Sequence, residues 1–524
     1  MSEATAVPAP PDTAARADLA AWLAVAAGTL GAFMALLDVS IVNAALPVIQ
    51  GEIGATQSEG TWVGTAYLVA EIVIMPLTAW LERVFGLRRI LLTGAIMFTV
   101  FSVICGLATD MTTMILGRVG QGLAGGTLIP TGMTIIAKRL PPRQQSVGMA
   151  LFASAALLGP ILGPLLGGWI TENYTWRYAF FINVPICAGL VALILGGLAP
   201  EKADLSQLGE ADWFGVAGMM IGLGSFTVLL EEGHRELWFE SALIWQLAVT
   251  SVIGFAMVAA GQKYSRSPVM KLALLRDRAF SSALVMMAVT GAVVFSTLFA
   301  VPQFLAAIAD YDAYQAGRVL FVSGFISVVS SLLYPLIIAR VDIRIVVGFA
   351  YLMNSAGCLI SSRLTADSAG AEFIPGLLML GIGMTFSAIP LQQAAISSVS
   401  VADSGQATSM FNISRNLGAS IGLAVLSSVL DQRMAFHHWR LHAGLGANDV
   451  EVQRYLAETG AALDVGPLGV DAAYRFLDAR VMTEAMVMTF SDIFMIMAVL
   501  AFLVVPLVLF LRPLDPEFAK GMVH

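Results

Sequence analysis

The chain has 524 residues; 58% are hydrophobic, only 12% are charged, and the formal net charge is -8. That charged share is about half of what a soluble domain carries, and the mean hydropathy is +0.81. These figures exclude a disordered protein, a nucleic-acid-binding protein and an ordinary soluble enzyme, because a soluble fold cannot hide so much apolar surface. Most of this chain is solvated by lipid. Outer-membrane barrels are excluded too, since their strands alternate apolar and polar residues.

A spanning helix takes roughly 20 apolar residues. Residues 1–19 read as an Ala/Pro-rich, nearly uncharged N-terminal tail. No basic segment followed by a cleavage site is present there, so the first span is expected to act as an uncleaved insertion signal. Fourteen apolar segments follow, at about 20–47, 61–81, 89–109, 111–137, 144–171, 178–198, 213–231, 242–261, 280–308, 315–339, 343–362, 373–397, 405–432 and 489–511. The expected fold is an all-α polytopic membrane protein with 14 transmembrane helices arranged 6 + 2 + 6. Residues 20–198 form one six-span half, 199–279 two inserted spans with their loops, and 280–512 the second half. Residues 513–524 are a C-terminal tail.

An even number of spans places both termini on one side. The loops on that side hold Arg83, Arg88, Arg89, Lys138, Arg139, Arg143, Lys202, Lys263, Arg266, Lys271, Arg276, Arg278, Arg340 and Arg344. The short loops opposite hold only Arg177, Arg235, Arg318 and Arg363. By the positive-inside rule both termini are expected to be cytoplasmic. The chain also echoes itself. Pro76-Leu77 closes the second span before a basic turn, and Pro335-Leu336 closes the tenth before another. With spans 7 and 8 as an insertion, the two six-span halves match, which is the architecture of secondary transporters.

Residues 432–489 are far longer than a tight connection. They read as an extracytoplasmic helical hairpin: amphipathic helix at Ala435–His442 and Val450–Leu463, a break at Pro467-Leu468-Gly469, and a second helix over Asp471–Met488. His438 and His442 stand at i, i+4 beside His437, a spacing that can ligate a metal. A solvated helix face is the preferred reading because no fourth ligand is evident, and no metal is expected. Cys105, Cys187 and Cys358 lie in apolar runs and read as small buried residues.

The fifth span carries Gly159, Pro160, Gly163, Pro164, Gly167 and Gly168. Glycines every four residues form a smooth stripe that lets backbones approach, and the two prolines free carbonyls and permit bending. Ionisable groups sit within spans as well: Asp38 in the first, Glu71 in the second, Arg118 with Gln121 in the fourth, Arg415 in the thirteenth. A charge at the bilayer centre costs about 2.5–3.5 kcal/mol even on lenient scales, so such residues face a cavity or a partner and are functional candidates. The chain has no GxxxxGK[ST] and no HExxH. No cofactor is expected, the chain does not read as an enzyme, and energy comes from a gradient or another protein.

These segments together resemble the major facilitator superfamily. The stripe in the fifth span is similar to its antiporter signature, Leu37 to Pro47 to the first-span motif of fourteen-helix drug/proton antiporters, and Arg118 to Gly122 to the fourth-span motif. Thr61-Trp62-Val63, Pro76-Leu77-Thr78, Phe180 to Pro185, and Asn412, Arg415 and Gly418 resemble the EmrB-like subgroup, the inner-membrane pumps of tripartite multidrug exporters. The loop after the second span departs from the superfamily pattern. Ala79 stands for its Gly, Arg83 for its Asp, and Glu82 is one position off. The charge-relay role of that Asp is therefore not carried over.

The resemblance implies proton-coupled export of amphipathic or lipophilic toxic compounds by alternating access, with an EmrA-like periplasmic adaptor and an outer-membrane channel. Asp38 and Glu71 are the expected proton carriers, with Arg118 as counter-ion; a substrate would displace the proton in the inward-open state. Gln121, Asn412 and Arg415 are candidates for substrate contact or gating. An uptake permease of the same fold is the alternative; a lipid flippase or membrane enzyme is a more distant one.

Overall fold

The computed structural model describes residues 17–201, 203–208, 212–265, 268, 270–400, 403–446, 449–462 and 469–512. Both tails beyond them, Lys202, Arg266 and the break at Pro467-Leu468 lie outside the described residues. Sixteen α-helices and short 3-10 turns make up the fold, with no strand among the described residues. The first group is α1 (Leu19–Ile53), α2 (Gln57–Phe85), α3 (Leu87–Gly106), α4 (Met111–Arg139), α5 (Pro142–Asn173), α6 (Tyr178–Phe181) and α7 (Asn183–Gly197). Then come α8 (Trp213–Gly233) and α9 (Ala242–Tyr264). The last group is α10 (Arg278–Ile308), α11 (Ala313–Ile338), α12 (Ile343–Ser361), α13 (Gly370–Ser397), α14 (Ser404–Gly444), α15 (Val450–Ala462) and α16 (Gly469–Leu503).

The fourteen apolar segments correspond to α1–α5, α6 with α7, α8–α14, and α16. Thirteen of the described helices are long and apolar enough to cross a membrane by that criterion. The fourteenth is α4, which is rich in glycine and threonine and carries Arg118 and Gln121. It packs on α1, α2 and α3, so protein rather than lipid covers it. Acidic N-caps start many of the helices: the side chains of Asp18, Asp110, Asp212, Asp277, Asp312 and Asp342 each accept a first-turn backbone N–H. Much of the acidic content therefore lies at helix ends, outside the apolar stretches. Lipid-facing flanks carry exposed Val249, Val252, Phe325, Leu332, Leu336 and Val499.

The two groups share one packing plan. In the first, α1 packs on α5, α2 on α4, α3 on α4 and α1 on α7. In the second, α10 packs on α14, α11 on α13, α12 on α13 and α10 on α16. The helices α8 and α9 pair with each other, and α8 leans on α2 and α14. Between the groups, α5 lies along α11, where Ser154 and Ser331 share a 2.5 Å hydrogen bond. At the basic end, Gly405 at the start of α14 sits against Ala79 of α2. The described chain ends meet this same end: Ala17 N–H donates to Gln144 (3.0 Å), and Arg512 pairs with Asp277 (2.6 Å).

Three boundaries differ from the sequence reading. Pro76 does not close the second span, because α2 continues to Phe85 with Pro76 inside it. Pro335 does lie near the end of α11. Membrane helices tolerate proline where neighbours satisfy the freed groups. The thirteenth span does not stop at 432: α14 is one helix from Ser404 to Gly444, and α16 starts at Gly469. At 1.5 Å per residue, a helix of 41 residues is roughly 60 Å long, about twice the hydrocarbon thickness. The hairpin is thus built mainly by extending two spans, with α15 laid against α16.

Candidate functional site

Asp38 lies in the middle of α1 and is fully buried. Helix packing brings three donors to it. Arg118 Nη1 donates to Oδ2 at 2.5 Å, while Gln121 Nε2 (3.1 Å) and Asn183 Nδ2 (2.7 Å) donate to Oδ1. Arg118 and Gln121 are one turn apart on α4, so both reach the same carboxylate. Arg118 also donates from Nη1 to Gln121 Oε1 (3.1 Å) and from Nε to the Val63 carbonyl (2.9 Å). Its guanidinium lies 4.4 Å from the ring centre of Tyr67. Asn183 continues the chain to Ser102 (2.9 Å), whose hydroxyl donates to the Phe180 carbonyl (2.8 Å). Cys105 Sγ donates to Gln121 Oε1 at 3.4 Å.

This is a dry, closed ion pair. Asp38, Arg118, Gln121, Asn183 and Tyr67 are all at 0% exposure. Breaking a buried pair by removing one partner typically costs about 3–5 kcal/mol, because a lone charge stays behind. One group is left over: Arg118 Nη2 is buried without a hydrogen-bond partner. The cations acting on the buried Glu71 carboxyl are Arg415 and Arg118. Glu71 itself makes no hydrogen bond or ion pair among the described residues. Arg118 is therefore bonded to one carboxylate, Asp38, and acts through its charge on a second, Glu71.

Glu71 is on α2, and Arg415 is on α14 in the other half. The helices meet there, with Asn416 Nδ2 donating to Met75 Sδ at 3.8 Å. Arg415 is half-buried, and its guanidinium makes one hydrogen bond among the described residues, from Nε to Asn416 Oδ1 (3.3 Å). The structure thus brings Glu71 and Arg415 into electrostatic range across the two halves. Asn412 is not part of this group. Its amide donates to the Thr408 carbonyl of its own helix (3.0 Å).

The glycine stripe of α5 faces α1. Side chains on Gly159, Gly163 and Gly167 would collide with Leu36–Leu37, Ser40, and Ile41 and Ala44 respectively. Gly168 is off the stripe and has open space around it. The prolines have a specific consequence. Pro164 has no N–H to bond the Pro160 carbonyl one turn back. Ser40 of α1 supplies the donor instead, at 2.8 Å. The stripe therefore positions the turn of α1 that precedes and includes Asp38–Ser40.

Sequence reasoning missed Asn183, Ser102 and Tyr67. Asn183 lies inside the Phe180–Pro185 stretch, at the start of α7, but nothing local shows that it reaches α1. Glu82, in the last turn of α2, is buried, so the acid displaced by one position points inward. The three cysteines are free and buried.

A two-half helical bundle with a buried ion pair between its spans has the architecture of a multi-pass membrane transporter. The family model of the Major Facilitator Superfamily matches residues 28–423. The chain belongs to that superfamily. It is similar to the colistin resistance protein EmrB of Acinetobacter baumannii, 28% identical over 94% of this chain and 96% of that protein. It is also similar to the multidrug export protein EmrB of Escherichia coli, 28% identical over 93% of this chain and 94% of that protein. Its fold matches the human organic anion transporter MFSD10 (TETRAN), with a TM-score of 0.58 at 16% identity, over 92% of this chain and 99% of that one.

Proposed function

We propose that the chain is a proton-coupled multidrug exporter of the inner membrane, moving amphipathic and lipophilic compounds outward by alternating access. The observation that carries this reading is the placement of Arg118, bonded to the Asp38 carboxylate, with a buried Nη2 that has no hydrogen-bond partner and a charge that also acts on Glu71. Asp38 holds Arg118 by a direct bond, whereas Glu71 has only the unbonded charges of Arg415 and Arg118 to compensate it, so the second carboxylate is the less well compensated in a buried setting. Protonating one lets the arginine serve the other. Asp38 neutralised by a proton releases Arg118 toward Glu71; a cationic or hydrogen-bonding substrate near Glu71 competes for that carboxyl and returns Arg118 to Asp38, expelling the proton. Binding of drug and proton is then mutually exclusive, which is the requirement for antiport. Arg415, reaching Glu71 from the other half, makes the exchange sensitive to how the halves are apposed. Gln121 orients Asp38, and Asn412 contributes to gating through α14. The resistance and export named for the relatives support the substrate class.

The 6 + 2 + 6 division, with the basic end cytoplasmic, follows from the shared packing plan and the loop charges. In this orientation the α14–α16 hairpin is periplasmic. It presents exposed Trp439, Val450, Tyr474 and Phe476. These suit a periplasmic adaptor that hands substrate to an outer-membrane channel.

Everted vesicles energised by respiration test the direction and the coupling. Drug addition should collapse part of the imposed pH gradient, and uptake into the vesicles should follow it. Transport in the opposite direction, or drug movement without proton movement, would sink the proposal. Shortening the hairpin between Phe436 and Phe476 should leave vesicle transport intact and remove whole-cell resistance. Full resistance in cells with an intact adaptor would rule docking there out.

A further inference from the structure

The hairpin brings together three metal-ligating side chains that lie apart in sequence. His438 and His442 stand one turn apart near the end of α14, with ring centres 4.5 Å apart. Asp478 reaches them from α16. His442 Nε2 lies 3.0 Å from Asp478 Oδ1, and His438 Nε2 lies 3.8 Å from the same oxygen. One ligand atom from each residue can be chosen so that all lie within 4.8 Å of one another.

The distances decide between two uses of this cluster. The 3.0 Å separation is an ordinary hydrogen bond, but 3.8 Å is too long for one. His438 Nε2 is accordingly a buried atom without a hydrogen-bond partner, although it points at a carboxylate. A tetrahedral ion with bonds of about 2.0–2.1 Å holds its ligands roughly 3.3–3.4 Å apart. The two observed separations bracket that value and the third, between the imidazole nitrogens, is no more than 4.8 Å, so rotation of the rings would bring the set to bonding distance. His442 and Asp478 are exposed, which leaves the fourth position to water. Two imidazoles and one carboxylate select a first-row divalent ion of the zinc type over calcium or magnesium, which prefer all-oxygen sets.

We propose that His438, His442 and Asp478 bind one divalent transition-metal ion, of which zinc is the expected occupant, and that the ion clips α14 to α16 at the hairpin. The sequence pattern supplied only the two histidines on one helix. The third ligand arrives because α14 and α16 extend beyond the spans and run side by side. The site owes nothing to the transport chemistry, so its test is independent of that reading.

The test uses the full chain in detergent micelles, freed of any affinity tag, titrated with cobalt(II) and then with zinc(II). One cobalt per chain should bind and give the visible absorption of a four- or five-coordinate ion. Zinc should displace it. His438→Ala, His442→Ala and Asp478→Ala should each weaken binding by at least about 100-fold, beyond the 10–100-fold that loss of a supporting residue brings. His234→Ala, which alters a histidine paired with Asp431 elsewhere, should leave the affinity unchanged. Zinc should also slow amide exchange around residues 438–444 and 474–480 of the unaltered protein, a readout that does not depend on any variant folding. Absence of binding at millimolar cobalt, binding unaffected by these substitutions, or exchange in that region unchanged by zinc would overturn the proposal.

Discussion

The two halves share a packing plan but differ in polar chemistry. In both, glycines let a pair of helices touch backbone to backbone: Gly159, Gly163 and Gly167 of α5 against α1, and Gly418 and Gly422 of α14 against Ala288 and Ala292 of α10. In the first half this packing surrounds a buried ion pair with a complete shell of donors. In the second, neutral contacts join the spans, among them Thr290 with Tyr351 (2.6 Å), Tyr334 with Gln393, and Ser327 to the Gly381 carbonyl (2.8 Å), and the ion pair of Asp492 with Arg433 and His437 lies toward the hairpin with its acid part-exposed. The charge of Arg415 in the second half acts on Glu71 in the first. A shared packing plan thus surrounds different polar chemistry, and the buried Asp38–Arg118 pair belongs to the first half alone.

The largest effect should come from Arg118. Arg118→Leu strands Asp38 as a lone buried charge and should lower stability by about 3–5 kcal/mol. Arg415→Leu, which removes a cation with one long hydrogen bond, should lower it by under ~1 kcal/mol. Thermal unfolding in detergent reads both; equal losses would break the contrast between the halves. Close packing, by comparison, should be indifferent to which half is altered. Gly163→Leu and Gly418→Leu each force a side chain into a facing helix and should cost about 1–3 kcal/mol or more. Both should insert normally and abolish drug resistance. Normal resistance in either would show that its stripe is not a working interface.

A finer comparison uses two serines. Ser40 supplies the donor that Pro164 lacks, so Ser40→Ala leaves a carbonyl unpaired and should cost about 1–3 kcal/mol. Ser414 donates to the Leu284 carbonyl at 2.7 Å, but residue 288 is an alanine whose N–H can already bond it. Ser414→Ala should therefore cost less, under ~1 kcal/mol. The smallest effect concerns the basic end. The Lys271 side chain holds the Asp403 carboxyl below the usual carboxylate range by donating to it at 2.6 Å. A depressed value means that this contact stabilises above about pH 4 and fades as pH falls through the folded value. Lys271→Met should slightly lower stability at neutral pH, and the difference from the unaltered protein should shrink on acidification.

Much of this was legible in the sequence because membrane helices announce themselves by length and apolarity. The fourteen spans and the stripe followed from that, and so did Asp38, Glu71 and Arg118 as misfits in an apolar setting. The end of α2 was misplaced because Pro76 looks like a stop, whereas packing on α4 carries the helix past it. The hairpin boundary was missed for a related reason: polarity changes near 432, but the helix does not end there. Asn183, Ser102 and Asp478 had no local signature, since what makes them matter is a partner far away in the chain. Asn412 illustrates the converse, a polar residue in a motif whose amide bonds its own helix.

The central claim is that Asp38 exchanges a proton when drug binds. Asp38→Asn keeps the size and three-donor pocket and removes the titration. The direct measurement is drug-induced proton release from the purified protein in weakly buffered detergent solution, compared between the unaltered chain and Asp38→Asn, with drug affinity measured alongside. The account predicts that the variant still binds drug, releases no proton on binding, and catalyses only downhill movement in vesicles. Undiminished proton release and active transport by Asp38→Asn would contradict it.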